Sequence, residues 1–336
     1  MDLFSKNKIK TLLDNYGLKP SKGLGQNFLI NKRVMQKIID SAELKPTDTV
    51  LEIGPGIGNL TQELAKIAKK VIAIEKDAKM AEILKETLKD YKNVEVVVGD
   101  VLKINLNNQA RIPKKYPKTN NQADIGNWDF FRNSCLGFGN YKVVANLPYY
   151  ITSPVIRKFL EADVKPELIV LMVQKEVAQR ICARPHPAIS GKRCGRAKPP
   201  RMNLLAVSVQ FYAEPKIISY IKKENFWPRP KVDSAIIKIK PLPSVEGRST
   251  SPEAKTVRHR MSHEIFFHVV KAGFSQPRKQ LGNNLSKMLA LSLPNGVELN
   301  KEAVSKILKE NNIEPTRRAE TLKIEDWINL SKRIKK

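Results

Sequence analysis

Apolar positions in the first half of the chain come in short runs separated by amphipathic stretches. Thr49–Ile53 (TVLEI), Val71–Glu75 (VIAIE), Val94–Val98 (VEVVV) and Tyr141–Ala145 (YKVVA) are rich in β-branched residues. That is the pattern of strands covered on both faces. Between them, Leu60, Leu64, Ile67 and Ala68 recur at helical spacing, and Ala78–Leu88 reads as a second helix. Upstream, Val34–Leu44 reads as a helix with Ile38 and Ile39 inward. This alternation predicts an α/β fold with a doubly wound parallel sheet and ligands at the carboxyl ends of its strands. Leu168–Val173 and Asn203–Tyr212 read as further strands. Ala235–Ile239 alternates apolar residues with lysine, which suits an exposed antiparallel edge.

Two stretches break the rhythm. Residues 105–140 are rich in Asn, Gln, Pro and Gly and carry no periodic apolar face, so they read as a surface insertion pinned by Trp128, Phe130 and Phe131. From about residue 245 a linker, VEGRSTSPEAK, leads into His263–Lys271, Gln276–Leu291, Lys301–Asn311 and Ile324–Ile334, all with helical patterning. The expected division is a basic segment at 1–20, a main domain at 21–242 containing the insertion, and a small helical domain at 255–336.

Charge changes the picture from fold to partner. The 336 residues hold 60 Lys and Arg against 33 Asp and Glu, a formal charge of +27. Such a field favours polyanions, with nucleic acid the default partner and an anionic membrane surface the rival. No stretch approaches the ~18 uncharged apolar residues of a membrane span, and the N-terminus lacks a signal peptide's apolar core. Cys135, Cys182 and Cys194 are odd in number and far apart, which points to a reducing cytoplasm without a disulfide frame or zinc site. No metal centre is expected, and His259, His263 and His268 read as solvated or RNA-facing. From Ala178 to Ala213 there is no acidic residue, but there are Arg180, Arg184, Lys192, Arg193, Arg196, Lys198 and Arg201. This run is a candidate phosphate-contact loop, and Arg278, Lys279, Arg317 and Arg318 make the helical domain basic as well.

The strand at 49–53 ends in Gly54-Pro55-Gly56-Ile57-Gly58 and opens a helix, which lets backbone approach a ligand closely. A dinucleotide fingerprint needs its third glycine one residue later, where Asn59 stands. The pattern E-x-G-x-G-x-G instead resembles motif I of the S-adenosylmethionine-dependent methyltransferases. Glu75, about twenty residues on at a strand end, is placed to accept from ribose hydroxyls. Asp100, after the next strand, is placed to accept from the exocyclic amine of the cofactor adenine. The amides of Gln26 and Asn27 suit a zwitterion.

The fourth apolar run delivers Asn146-Leu147-Pro148-Tyr149. The N6 amine of adenine is a poor nucleophile because its lone pair is delocalised into the ring. Methylating it calls for acceptors that draw its two hydrogens and for alignment with the methyl donor. Asn146 supplies a side-chain acceptor. Leu147, restricted by the proline, aims its carbonyl inward, and Tyr149 offers a ring for an unstacked base.

GQNFL at 25–29, EIGPGIGNLT at 52–61, Glu75, GD at 99–100, VVANLPYYITSPV at 143–155, QKEVAQR at 174–180, FWPRPKVDSAI at 226–236 and the C-terminal FFHVVKAGFSQPRKQLGNNL occur in that order. Together they resemble the KsgA/RsmA family of small-subunit ribosomal RNA adenine dimethyltransferases, over nearly the whole chain after residue 20. The resemblance implies a Rossmann-like methyltransferase sheet. It also implies transfer of four methyl groups from S-adenosylmethionine to two adjacent adenosines in the 3′-terminal hairpin of 16S rRNA. The expected acceptor is an immature small subunit, and the protein is expected to act as a cytoplasmic monomer. Carried over residue by residue, Asn27, Leu29, Gly54, Glu75, Asp100 and Asn146 contact the cofactor, with Gln26, Gly56, Lys76 and Val101 beside them. Tyr149 and Phe226 hold the base. The chain departs from the family in its longer 105–140 connection and in lacking a Tyr-Gly pair after QKEVAQR; Tyr150 stands where many members carry asparagine. The rival readings are a 23S rRNA adenine methyltransferase of the macrolide-resistance type and a non-catalytic assembly factor.

Overall fold

The computed structural model describes residues 3–21, 23, 25–104, 141–185, 201–243, 263–289 and 300–335. The expected insertion with Trp128, Phe130 and Phe131 lies outside the described residues. So do Lys192, Arg193, Arg196, Lys198, Cys135, Cys194, His259 and the 245–255 linker.

The chain falls into two compact units. One comprises Met1–Ala178 with Pro215–Pro241, the other Gln179–Glu214 with Leu242–Lys336. The basic run after Ala178 therefore groups with the C-terminal helices. Within the first unit, α1 (Lys6–Asn15) buries Ile9, Leu12 and Leu13. The short strand β1 (Phe28–Leu29) precedes α2 (Lys32–Ala42), whose Asn31 cap accepts from the N–H groups of Arg33 and Val34. Then β2 (Thr49–Ile53), α3 (Asn59–Ala65), β3 (Lys70–Glu75), α4 (Ala78–Thr87), β4 (Val94–Val98), β5 (Tyr141–Asn146), α5 (Thr152–Leu160) and β6 (Leu168–Gln174) follow the predicted alternation. After α6 (Lys175–Ile181) come α7 (Leu204–Tyr212), β7 (Ala213–Ile221), β8 (Phe226–Trp227) and β9 (Ser234–Pro241).

Seven strands form one sheet in the order β4-β3-β2-β5-β6-β9-β7. The pairs from β4 to β6 are parallel, and β9 runs antiparallel to β6. Chain order reverses between β2 and β5, the switch point at which open parallel sheets place their ligands. Interior strands such as Leu168–Gln174 are buried almost throughout, as an apolar run covered on both faces requires. Lys142 is the exception inside β5. Its buried ammonium donates to the Glu43 carbonyl at 2.5 Å and pairs with Asp48 at 2.8 Å. Among the described residues no helix is long and apolar enough to cross a membrane.

Two expectations are corrected. Residues 204–212 are a helix, with Asn203 as its cap accepting from the Ala206 N–H at 3.1 Å. LLAVSVQFY is apolar on nearly every side, and a short run of that kind does not separate strand from buried helix by periodicity. The strand comes directly after it, in β7. The Ala235–Ile239 strand is not an edge: β9 is flanked by β6 and β7, and β7 with its alternating exposed positions is the last strand.

In the second unit, α8 (His263–Gly273), α9 (Leu281–Leu289), α10 (Lys301–Glu310) and α11 (Ile324–Lys335) pack with α7. The Phe211 ring stacks on Phe266 with centroids 4.1 Å apart, and Phe267 and His263 meet it edge-on. The expected 276–291 helix begins only at Leu281, after the turn that Pro277 introduces.

Candidate active site

The carboxyl ends of β2, β3, β4 and β5 open onto one cavity in the first unit, with about 1070 Å³ of atom-free space partly open to solvent. Parallel pairing sets these ends level. Ile53 lies beside Ile74, and Glu75 beside Val98, so the turns after each strand emerge along one rim. Gly54 and Gly56 sit on the cavity wall at φ +67° and +58°, which side chains on L residues rarely adopt. A Cβ at Gly56 would also press against the Phe28 ring at 3.2 Å.

Two carboxylates face the cavity from the next two strands. Glu75 accepts from the Gly56 N–H at 3.1 Å and the Asp77 N–H at 2.9 Å. Burial nonetheless raises its pKa, against the pull of those N–H groups. Asp100 is the more exposed. Burial opposes its charge, but the Leu102 N–H at 2.9 Å and the Lys76 ammonium at 3.0 Å outweigh it and hold the carboxyl below its usual value. Lys76 and Val101 line the same wall.

Gln26 and Asn27 approach from the loop before β1, and both line the cavity. The Gln26 side chain accepts from the Ser21 N–H at 2.8 Å, which closes the loop on itself. The Asn27 carbonyl receives the Asn146 side-chain N–H at 3.1 Å. That bond commits the Asn146 nitrogen and leaves its Oδ1 as the acceptor. Asn146, Leu147, Pro148 and Tyr149 all line the cavity, Leu147 with its side chain buried.

Two expected site residues are not on this wall. Leu29 is 1% exposed within the core, and its carbonyl accepts from the Asn59 amide at 2.7 Å. Phe226 is 3% exposed and packs in the same core cluster. In the two-residue β8, successive side chains point to opposite faces, so Trp227 lies on the other side, partly buried against the cluster that holds Phe28. It stacks on Phe28 at 6.4 Å, while β8 pairs antiparallel with β1. Of the basic candidates, Arg180, Arg184, Arg278 and Lys279 are exposed and belong to the second unit. Arg184 and Arg201 are bridged backbone to backbone, which joins the two ends of the basic run, and Arg201 pairs with Glu320.

Three further polar residues line the cavity beyond those expected at the site. Asn59 stands beside the last glycine as the ordinary first residue of a helix. Tyr150, the residue that stands where many members carry asparagine, is 55% exposed on the wall. Glu52 was visible as the acid of the glycine motif. It is 1% exposed on the cavity wall with Oε2 unpartnered, and burial pushes its carboxyl up to about 8, an effect that the Thr61 hydroxyl tempers and Glu75 adds to.

The family model described as ribosomal RNA adenine dimethylase matches residues 17–330. A protein of Dehalococcoides mccartyi strain CBDB1 named ribosomal RNA small subunit methyltransferase A is 40% identical over 321 residues. The match spans 96% of this chain and 90% of the relative. Among solved structures, a dimethyladenosine transferase from Plasmodium falciparum superposes with a TM-score of 0.62 at 27% identity, over 90% of this chain and 95% of that one. The 23S rRNA methyltransferase ErmE shares the fold with a TM-score of 0.58 at 24% identity, over 92% of this chain and all of that one.

Proposed function

From the chain's membership of the ribosomal RNA adenine dimethylase family, we propose that it dimethylates N6 of two adjacent adenosines in the 3′-terminal hairpin of small-subunit rRNA. The acceptor in this reading is an immature small subunit in the cytoplasm, approached by a monomer. The methyl donor is S-adenosylmethionine, which when bound supplies an electrophilic methyl on sulfur. The cavity suits it. The glycine turn exposes backbone on its wall at positive φ, and Glu75 and Asp100 line it from consecutive strand ends.

The residues divide the work. Glu75 accepts from ribose hydroxyls, and Asp100 from the adenine amine of the donor. Gln26, Asn27, Gly54, Gly56, Lys76 and Val101 line the rest of that half. On the acceptor side, Asn146 Oδ1 and the Leu147 carbonyl take the two N6 hydrogens and orient the nitrogen lone pair toward the methyl. Tyr149 supports the base. No strong base is needed, since the nitrogen sheds its proton readily once it carries the new methyl. Arg180, Arg184, Arg278 and Lys279 meet phosphates. Leu29 and Phe226 act from the core, behind the loops.

The observation that carries the reading is the Asn146–Asn27 hydrogen bond, since it turns an amide that could face either way into a fixed acceptor. The test is incubation with labelled S-adenosylmethionine and small subunits lacking the dimethyladenosines, followed by nucleoside analysis. Label in N6-dimethyladenosine at the two hairpin positions is expected. Label confined to large-subunit RNA would overturn the reading. Asn146→Ala is expected to lower methylation at least ~100-fold, the scale of losing a group that positions the reacting atom.

A further inference from the structure

We propose that Ser234 is a positioning residue for the methyl acceptor, holding the Tyr149 ring in place through the bond between the two hydroxyls. The inference rests on the reading of Tyr149 as the platform for the target adenine.

The two oxygens lie 2.7 Å apart, 85 residues apart in sequence. Tyr149 is half-buried on the cavity wall, in the short 3₁₀ turn Tyr149–Ile151 that follows Pro148. Ser234 is completely buried at the first position of β9, opposite Gln174 of β6. Its neighbour Asp233 is tied on two sides: its carbonyl accepts from the Lys175 N–H at 3.0 Å, and its carboxylate from the Lys223 N–H at 3.2 Å. The serine hydroxyl is therefore a fixed post on the sheet rather than a loop side chain that follows the tyrosine.

A stacking platform needs that post. Tyr149 stands at the end of a segment whose other residues are already constrained. Asn146 is bonded to Asn27, and Pro148 packs against Gly25 and Gly54. A hydroxyl anchor at the far end of the ring stops it from swinging about its first side-chain bond. Burial raises the phenol's pKa, the Ser234 bond tempers that rise and Asp233 adds a little to it, so the hydroxyl keeps its proton at neutral pH. Each productive encounter then finds the ring where the base must lie, which acts on kcat rather than on capture of RNA by distant phosphate contacts.

The test compares Ser234→Ala, Tyr149→Phe and the double variant. Each single change removes the bond from one side, at a scale of about 1 kcal/mol or roughly fivefold. The expected outcome is a fivefold or so lower kcat in both single variants, an unchanged KM for RNA, and no further loss in the double variant. RNA with 2-aminopurine at the target position is expected to fluoresce more strongly when bound to either variant than to the parent protein. S-adenosylhomocysteine is expected to bind all of them equally by calorimetry. Additive losses, equal emission from parent and variants, or lost S-adenosylhomocysteine binding in Ser234→Ala would overturn the proposal. If the parent protein itself leaves small-subunit RNA unlabelled, the functional reading fails instead.

Discussion

Replacing Glu52 by glutamine isolates a carboxyl that is buried beside the glycine turn with one oxygen unpartnered. Its pKa in the folded chain is about 8, raised first by burial, so at neutral pH the protonated form is favoured. An acid raised in the folded state stabilises folding fully below its unfolded value near 4.5, and that contribution fades as pH rises toward 8. Glutamine keeps the neutral form at every pH. Urea denaturation of the Glu52→Gln protein is therefore expected to show a stability difference that moves in the variant's favour between about pH 5 and pH 8. A difference that stays flat with pH would mean that the carboxyl is already ionised. At this scale the sequence was partly legible. The glycines, Glu75, Asp100 and the Asn146–Tyr149 run announced themselves because their chemistry depends on order along the chain. Ser234, the protonation of Glu52 and the burial of Phe226 depend on what packs around them, and no local pattern records that.

Secondary elements are legible in the sequence where periodicity is strong and obscure where it is weak. The four runs feeding the cavity match the strands in place and type. Residues 204–212 carry no helical signature because a helix buried on most sides loses its polar stripe. The position of β9 inside the sheet depends on β7 pairing beyond it, a long-range event. The C-terminal helices offer a test at this scale. Gly273 closes α8, and a Cβ there would lie 2.3 Å from the Trp327 ring of α11. Trp327 is fully buried, so neither partner has room to withdraw. Gly273→Ala is expected to destabilise the helical unit by about 1–3 kcal/mol, the cost of overpacking a core. A broadened or early first transition in calorimetry is the readout, and an unchanged melting profile would show that α11 can shift aside.

At the scale of the whole molecule, the charge of +27 and the placement of basic residues separate two tasks. The cavity residues all belong to the first unit, while Arg180, Arg184, Arg278 and Lys279 are exposed on the second. Phosphate contacts release counterions, so RNA affinity should fall steeply with salt, whereas a small ligand held by buried groups should respond weakly. Neutralising Arg278 and Lys279 together is expected to reduce the slope of log affinity against log salt by roughly 1–2. Binding of S-adenosylhomocysteine is expected to be unchanged in the same protein. The comparison decides between roles because a general loss of folding would lower both affinities without changing the salt slope. A lower slope with intact cofactor binding places these residues on phosphate. An unchanged slope removes them from the RNA footprint and leaves the charge of the second unit to be assigned to the basic run, in which Arg184 and Arg201 are bridged.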